Sequence, residues 1–226
     1  MILCIADILT PQELVDILFK LEKAKFVDGK LSAGWHARLV KQNKQLKNDS
    51  PEIKALENLV IKALNCHSLF GMSVLPKTIR PPLFNRYESG MFYRTHVDNA
   101  VMNHGEMSEY MRSDVSATLF LSDPTTYTGG ELVIDSTQGE ETFKLAAGSM
   151  IVYPASTLHR VEPVTQGVRL AAVTWIQSLV RDSAKREILF DLDTARRMIF
   201  EKAGKSSEFD LISKSYANLL RQWADV

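Results

Sequence analysis

Helices at both ends of an all-β core, an α+β fold, are what this 226-residue sequence predicts, and three observations predict it. Helix-start signals with helical apolar spacing occupy the N-terminal part. From about Ser73 to Leu179 short β-like runs are broken by turn residues every ~8–12 positions, the pattern of a sandwich or barrel. Beyond Arg181 the helical period returns.

The first helix begins at Thr10-Pro11-Gln12-Glu13, a capping-box pattern with Pro at the first helical position. It opens an apolar series at Leu14, Ile17, Leu18 and Leu21. Ser50-Pro51-Glu52 starts a second helix in the same way, with Ile53, Leu56, Leu59, Val60 and Leu64 on one side. Between them Trp35 to Val40 is expected as a strand, and the charged segment Lys41 to Lys47 as a solvated loop. The core runs are LFNRYE, SATLFLSD, GGELVID, ETFKLA, SMIVYP, LHRVEPV and VRLAAVTWIQ. Near the C-terminus, Ile188, Leu192, Ala195 and Ile199 fit one helical face, and Phe209, Ile212, Tyr216, Leu219 and Trp223 another. Gly204 and Ser206-Ser207 form the break. The expected organisation is an N-terminal helical flank over residues 1–72, a β core over 73–179 and a C-terminal helical unit over 180–226, which serves packing or dimerisation.

Composition narrows the function. With 45% hydrophobic residues and this length, the chain buries roughly 70–75% of its unfolded surface and needs no disulfide or metal for stability alone. Lys+Arg and Asp+Glu both number 27, which removes the bulk electrostatic argument for nucleic acid or an anionic membrane. Cys4 and Cys66 have no CxxC spacing, so a reducing compartment, the cytoplasm, is the simpler reading. The segment MILCIADILTPQEL lacks a basic n-region, and no run reaches the ~20 apolar residues a bilayer span needs. A soluble cytoplasmic protein is expected.

The chemistry concentrates in YESGMFYRTHVDN. Side chains two apart on a strand share a face, so His96 and Asp98 form a two-ligand clip for a metal. His159 lies 61 residues past Asp98, with several β runs between, as a rolled sheet needs to bring distant strands around one mouth. Two histidines and one carboxylate make a facial triad, which leaves coordination positions open and suits non-haem Fe(II) better than structural zinc. Ten residues past His159 comes Arg169, after a turn at Thr165-Gln166-Gly167. If the two runs pair as a hairpin, Arg169 emerges beside His159. Its planar fork in an apolar strand then calls for a carboxylate.

These residues carry a resemblance. The order HVD…H…R, the upstream RYESGMFYRTHVDN and GGEL within the core resemble the Fe(II)- and 2-oxoglutarate-dependent dioxygenases of the prolyl 4-hydroxylase type. With its C-terminal helical appendage the chain is similar to the bacterial PKHD-type hydroxylases. The motifs span about Lys77 to Ser178. The resemblance implies a double-stranded β-helix, or jelly roll, and one Fe(2+) per subunit held by His96, Asp98 and His159. It assigns Arg169 to the distal carboxylate of 2-oxoglutarate and Tyr87 to the lining of the same pocket. It implies a hydroxylation coupled to conversion of 2-oxoglutarate and O2 to succinate and CO2, with L-ascorbate as reductant. The substrate stays open between peptidyl proline and a small molecule, since binding loops vary on a shared fold.

Other groups take plainer readings. His36, His67 and His104 are expected as surface or satisfied histidines, Tyr93 and Trp175 as packing, and Gly129-Gly130 as a turn. A 2-oxoglutarate-independent cupin-like metal protein, or a non-catalytic sensor, is the alternative; Arg169 argues against the first and the intact ligand set against the second. A halogenase needs a small residue in place of the carboxylate, and Asp98 excludes it. A homo-oligomer through the C-terminal helices is compatible with the sequence.

Overall fold

The computed structural model describes residues 1–32, 34–35, 37–47, 51–104 and 109–226. Strand β1 (Leu3–Ile5) leads into helix α1 (Pro11–Lys23), where the capping box forms: Glu13 N–H donates to Thr10 Oγ1 at 3.3 Å and Thr10 N–H to the Glu13 carboxylate at 2.9 Å. Strand β2 (Phe26–Asp28) and two short 3-10 turns follow, Gly29–Ser32 and Ala37–Leu39. The expected strand at Trp35–Val40 is therefore not formed. Trp35 and Leu39 lie largely in solvent, so their apolar character marks no core face. The chain pairs further on, at β3 (Lys41–Gln42) and β4 (Lys44–Leu46), which corrects the expected solvated loop.

Helix α2 (Pro51–Cys66) begins where expected, and Ser50, read from the sequence as part of its start signal, lies outside the described residues. Helix α3 (Ser68–Val74) is an unexpected short turn of helix, capped by His67, whose Nδ1 accepts from Phe70 N–H. The core strands are β5 (Pro76–Ile79), β6 (Leu83–Tyr87), β7 (Phe92–His96), β8 (Val101–His104), β9 (Glu109–Arg112) and β10 (Val115–Phe120). They continue with β11 (Thr128–Gly129), β12 (Leu132–Ser136), β13 (Gly139–Phe143) and β14 (Met150–Pro154). The last are β15 (His159–Val161), β16 (Val164–Gln166) and β17 (Arg169–Ser178), before helices α4 (Ser183–Ala203) and α5 (Ser207–Trp223).

Two antiparallel sheets make the core, in the expected α+β class. The larger runs β1-β14-β10-β17-β6-β4-β2 with β5 also on β17, and the smaller runs β13-β12-β15-β7-β3. Strand alternation decides what each face meets. On β10, Val115, Ala117 and Leu119 pack with α1 and α2 through Ile17, Leu21, Leu56 and Leu64, whereas Phe120 joins the layer between the sheets. On β17, Leu170, Ala172 and Ile176 face the helices, while Arg169, Val173 and Trp175 line an internal cavity. The layer between the sheets is closed by Tyr87, Ile151 and Tyr153 from one side and Leu132, Ile134 and Val161 from the other.

The C-terminal pair packs on the end of this core. Leu189 joins Leu75 and Val180, with Tyr216, Leu219 and Trp223 of α5 against them. The buried line of α4 is Arg186, Leu189 and Asp193, and Ile188 stands 47% exposed, so the expected face is turned by one residue. Charged residues carry that line. Arg186 Nη1 donates to the carbonyls of Val180 and Arg181 at 2.7 and 2.8 Å, and Asp193 is held by Arg196 and Arg197. An apolar period does not register such groups. No helix of the described residues is long and apolar enough to cross a membrane.

Candidate active site

Strands β7 and β15 are neighbours with His159 directly opposite His96, which brings together residues 63 apart in the chain. Asp98 is not on the strand: β7 ends at His96, and the carboxylate reaches the same point from the segment just beyond. Potential ligand atoms of His96, Asp98 and His159 lie within 4.8 Å of one another, and His159 Nε2 is 3.7 Å from Asp98 Oδ2. Each ring is oriented from behind. His96 Nδ1–H donates to the Arg94 carbonyl at 2.8 Å and His159 Nδ1–H to the Thr157 carbonyl at 3.0 Å, which leaves both Nε2 lone pairs for a metal. Ser116 Oγ donates to Asp98 Oδ2 at 2.6 Å. Tyr93 stacks on His96 with centroids 3.6 Å apart, and Tyr153 meets His159 edge-on. Burial, and then the neighbouring imidazole of His159, push the His96 imidazole below its ordinary pKa, so it is neutral and ready to ligate.

The three residues open onto a cavity of about 400 Å³, and Arg169 lines it from the opposite sheet. The expected hairpin between the His159 and Arg169 runs is absent: β15 pairs with β12 and β7, whereas β17 pairs with β10, β6 and β5. Arg169 instead sits directly opposite Tyr87 on β6, its guanidinium 5.2 Å from the Tyr87 ring and 5.4 Å from that of Phe120. It is 1% exposed, and its Nε and Nη2 have no hydrogen-bond partner among the described residues. A close backbone permits this placement. Gly130, at φ +70°, lies where a Cβ would meet Val164 Cγ2 at 2.8 Å and Arg169 Cδ at 3.0 Å.

Residues 82–177 match the family model described as 2OG-Fe(II) oxygenase superfamily, and residues 183–225 match the PKHD-type hydroxylase C-terminal domain. A PKHD-type hydroxylase of Rippkaea orientalis is 60% identical over 223 residues, 99% of each chain. This chain belongs to the PKHD-type hydroxylases. A further member, from a Synechococcus strain, is 54% identical over the whole of both chains. Solved structures share the hydroxylase's fold at low identity. A Pseudomonas putida prolyl-4-hydroxylase has a TM-score of 0.51 at 19% identity, covering 78% of this chain and 92% of that one. HygX from Streptomyces hygroscopicus, solved with nickel and 2-oxoglutarate bound, has a TM-score of 0.54 at 13% identity, covering 78% and 82%.

An Fe(II)- and 2-oxoglutarate-dependent hydroxylase needs a site for each group, and the residues present fit both. Two imidazoles and a carboxylate around one point suit a divalent iron with free positions. A buried guanidinium with two unpartnered N–H groups suits a carboxylate.

Several residues of the cavity carry no sequence motif. Lys41, Gln45 and Asn85 line it, and Trp175, expected as core, belongs to its wall, as does Tyr93. Lys41 is 6% exposed, and burial holds its pKa down to about 8 against the opposing pull of Asp98 and Asp28. The only available signal was the alternation Lys41, Asn43, Gln45, all buried, with Gln42 and Lys44 outward; polar residues at period two read as a surface. His36 lies outside the described residues, and His104 is described only as the end of β8.

Proposed function

We propose that this hydroxylase binds Fe(II) through His96, Asp98 and His159, and binds 2-oxoglutarate with its distal carboxylate on Arg169 and Tyr87 beside it. The observation that carries the reading is Arg169: a buried guanidinium whose Nε and Nη2 have no hydrogen-bond partner among the described residues, lining the cavity onto which the three ligand candidates open. When bound, the iron with 2-oxoglutarate supplies O2 activation and oxidation of a substrate C–H bond, with succinate and CO2 as coproducts. The protein's own contribution is placement. The Arg94 and Thr157 carbonyls fix the imidazole tautomers, Ser116 fixes the carboxylate, and the Tyr87 and Phe120 rings keep water from the guanidinium. L-Ascorbate serves as reductant, the compartment is the cytoplasm, and the substrate is a peptidyl proline or a small molecule.

The test is anaerobic. Fe(II) is added to the pure protein, then 2-oxoglutarate, and the visible charge-transfer band of chelated 2-oxoglutarate is followed, with succinate measured after air is admitted. A parent protein that binds Fe(II) yet shows neither the band nor succinate refutes the reading.

A further inference from the structure

Lys41 holds a cation where neither iron nor 2-oxoglutarate asks for one. It lies on the smaller sheet, opposite Tyr93 in register, and its Nζ faces that ring at 5.3 Å. Among the described residues its ammonium makes one hydrogen bond, to Ser32 Oγ at 3.1 Å, although an ammonium carries three donors. Among the described residues it forms no ion pair.

Nearby cavity-lining acceptors are engaged, and Asn43 Oδ1, which lacks a partner among the described residues, belongs to a residue outside the cavity lining. Ser32 Oγ also donates to Gln45 Oε1, and Asn85 Oδ1 receives both Gln45 Nε2 at 2.8 Å and Asn43 Nδ2 at 3.0 Å. Across the cavity Trp175 Nε1 is buried without an acceptor among the described residues, and the Arg80 guanidinium lies 5.3 Å from the Trp175 ring. Lys41 Nζ and Trp175 Nε1 thus present donors beside acceptors that Gln45 and Asn85 already use, and a ligand with acceptor atoms would meet them.

Charge leads to the same requirement. With Fe(II), one aspartate, a doubly charged 2-oxoglutarate and Arg169, the metal and cosubstrate groups sum to zero. The Lys41 charge is then met only by the pull of Asp28, without an ion pair among the described residues, in a buried place, which is costly unless an anion meets it. A cosubstrate held on Arg169 does not reach Trp175, since the two face the cavity from one strand six residues apart, roughly 20 Å at strand rise, and Lys41 faces the cavity from the other sheet beside Tyr93.

Resting on the oxygenase reading above, we infer that the Lys41 and Trp175 region is the substrate chamber and that it takes a substrate bearing an oxyanion, a carboxylate or a phosphate ester, seated on the Lys41 ammonium. Lys41 is a specificity-determining residue in this scheme. An internal prolyl residue of a peptide brings no such group, so a small acid fits this chamber better.

The test separates this inference from the reading beneath it. Protein is loaded with Mn(II) and 2-oxoglutarate, and 2-oxoglutarate affinity is measured first; no binding in the parent sinks the oxygenase reading itself. The probes are N-acetyl-L-proline and benzoate, each beside its carboxamide, and phenyl phosphate beside phenol. Binding near the site is read from broadening of each probe's NMR lines by Mn(II). At least one acid is expected to bind about tenfold more tightly than its neutral counterpart, and the better arm tells carboxylate from phosphate. Lys41→Met and Lys41→Gln should erase that preference, and Lys41→Arg should keep part of it, with 2-oxoglutarate affinity held in all three. Absence of any acid preference in the parent overturns the inference. So does a preference that survives in Lys41→Met, or a loss of 2-oxoglutarate affinity in that variant.

Discussion

The end of the cavity with the three ligand candidates and the arginine end hold their polar groups by opposite means. At the first end every ligand candidate has a hydrogen bond that orients it, to Arg94, to Thr157 or from Ser116. At the other end Arg169 is held by packing, against Tyr87 and Phe120 and over Gly130, while two of its donor nitrogens have no hydrogen-bond partner among the described residues. The first end is finished before any ligand arrives. The second carries an unmet demand, and the free energy released in meeting it goes into binding.

The sharpest way to break this comparison is at the finished end. His96→Ala, Asp98→Ala and His159→Ala should each abolish Fe(II)-dependent succinate formation. The apo protein should still melt cooperatively, because the β core and not a metal supplies the stability. Full turnover in any one variant removes that residue from the ligand set, and collapse of the apo fold makes the site structural.

At the unfinished end the effect is large but confined to one ligand. Arg169→Ala strips the partner from a buried carboxylate, a loss on the order of 3–5 kcal/mol. At ~1.4 kcal/mol per tenfold, 2-oxoglutarate affinity should fall by two to three orders of magnitude with Fe(II) affinity nearly unchanged. Arg169→Lys should recover part of it, a point charge replacing a fork. Anaerobic titrations of both ligands decide; parental 2-oxoglutarate binding in Arg169→Ala would mean the carboxylate sits elsewhere.

A smaller effect is expected behind the metal. Ser116→Ala leaves Asp98 Oδ2 without its donor, and Fe(II) affinity should drop ~10–100-fold, the usual consequence of losing a ligand's supporting hydrogen bond. Once iron is saturating, 2-oxoglutarate affinity should match the parent, since the two ends are built separately. A 2-oxoglutarate defect that persists at saturating iron would show that they are not.

The smallest effect is one of pH. Lys41 titrates at about 8 in the fold against 10.5 ordinarily. Below 8 both folded and unfolded chains hold the proton; between these values the unfolded chain binds more, so stability climbs as pH rises through the window. Melting temperatures of parent and Lys41→Met, compared from about pH 7.5 to about 10.5, should diverge on this account. Parallel curves would place Lys41 in water.

Much of this was legible in the sequence where local spacing carries the information. The Thr10 capping box, the helix starting at Pro51 and the alternation of VRLAAVTWIQ depend on neighbours in the chain, and the α+β class follows from them. The convergence of His96, Asp98 and His159 was legible because it needed only that the sheet roll up. The pairing of particular strands was not. A hairpin between the His159 and Arg169 runs looked natural from their separation, yet the strands lie in different sheets, because β16 turns aside to pair with β11. The buried line of α4 escaped detection because charged residues occupy it, and Lys41 to Leu46 because polar side chains do.

That last segment joins the halves of the molecule. β3 pairs with β7 of the smaller sheet and β4 with β6 of the larger, and Asn43 is the single residue between them. It works as a clasp between the two sheets. Because strand side chains alternate, one residue inserted within the clasp would send Gln45 outward and bring its neighbour in, exchanging the groups that face the chamber. The three ligand candidates and Arg169 lie on other segments of the chain, and would keep their places. On the function proposed above, a change of length at this one buried joint would be a route to a different substrate with the ligand candidates and Arg169 unmoved.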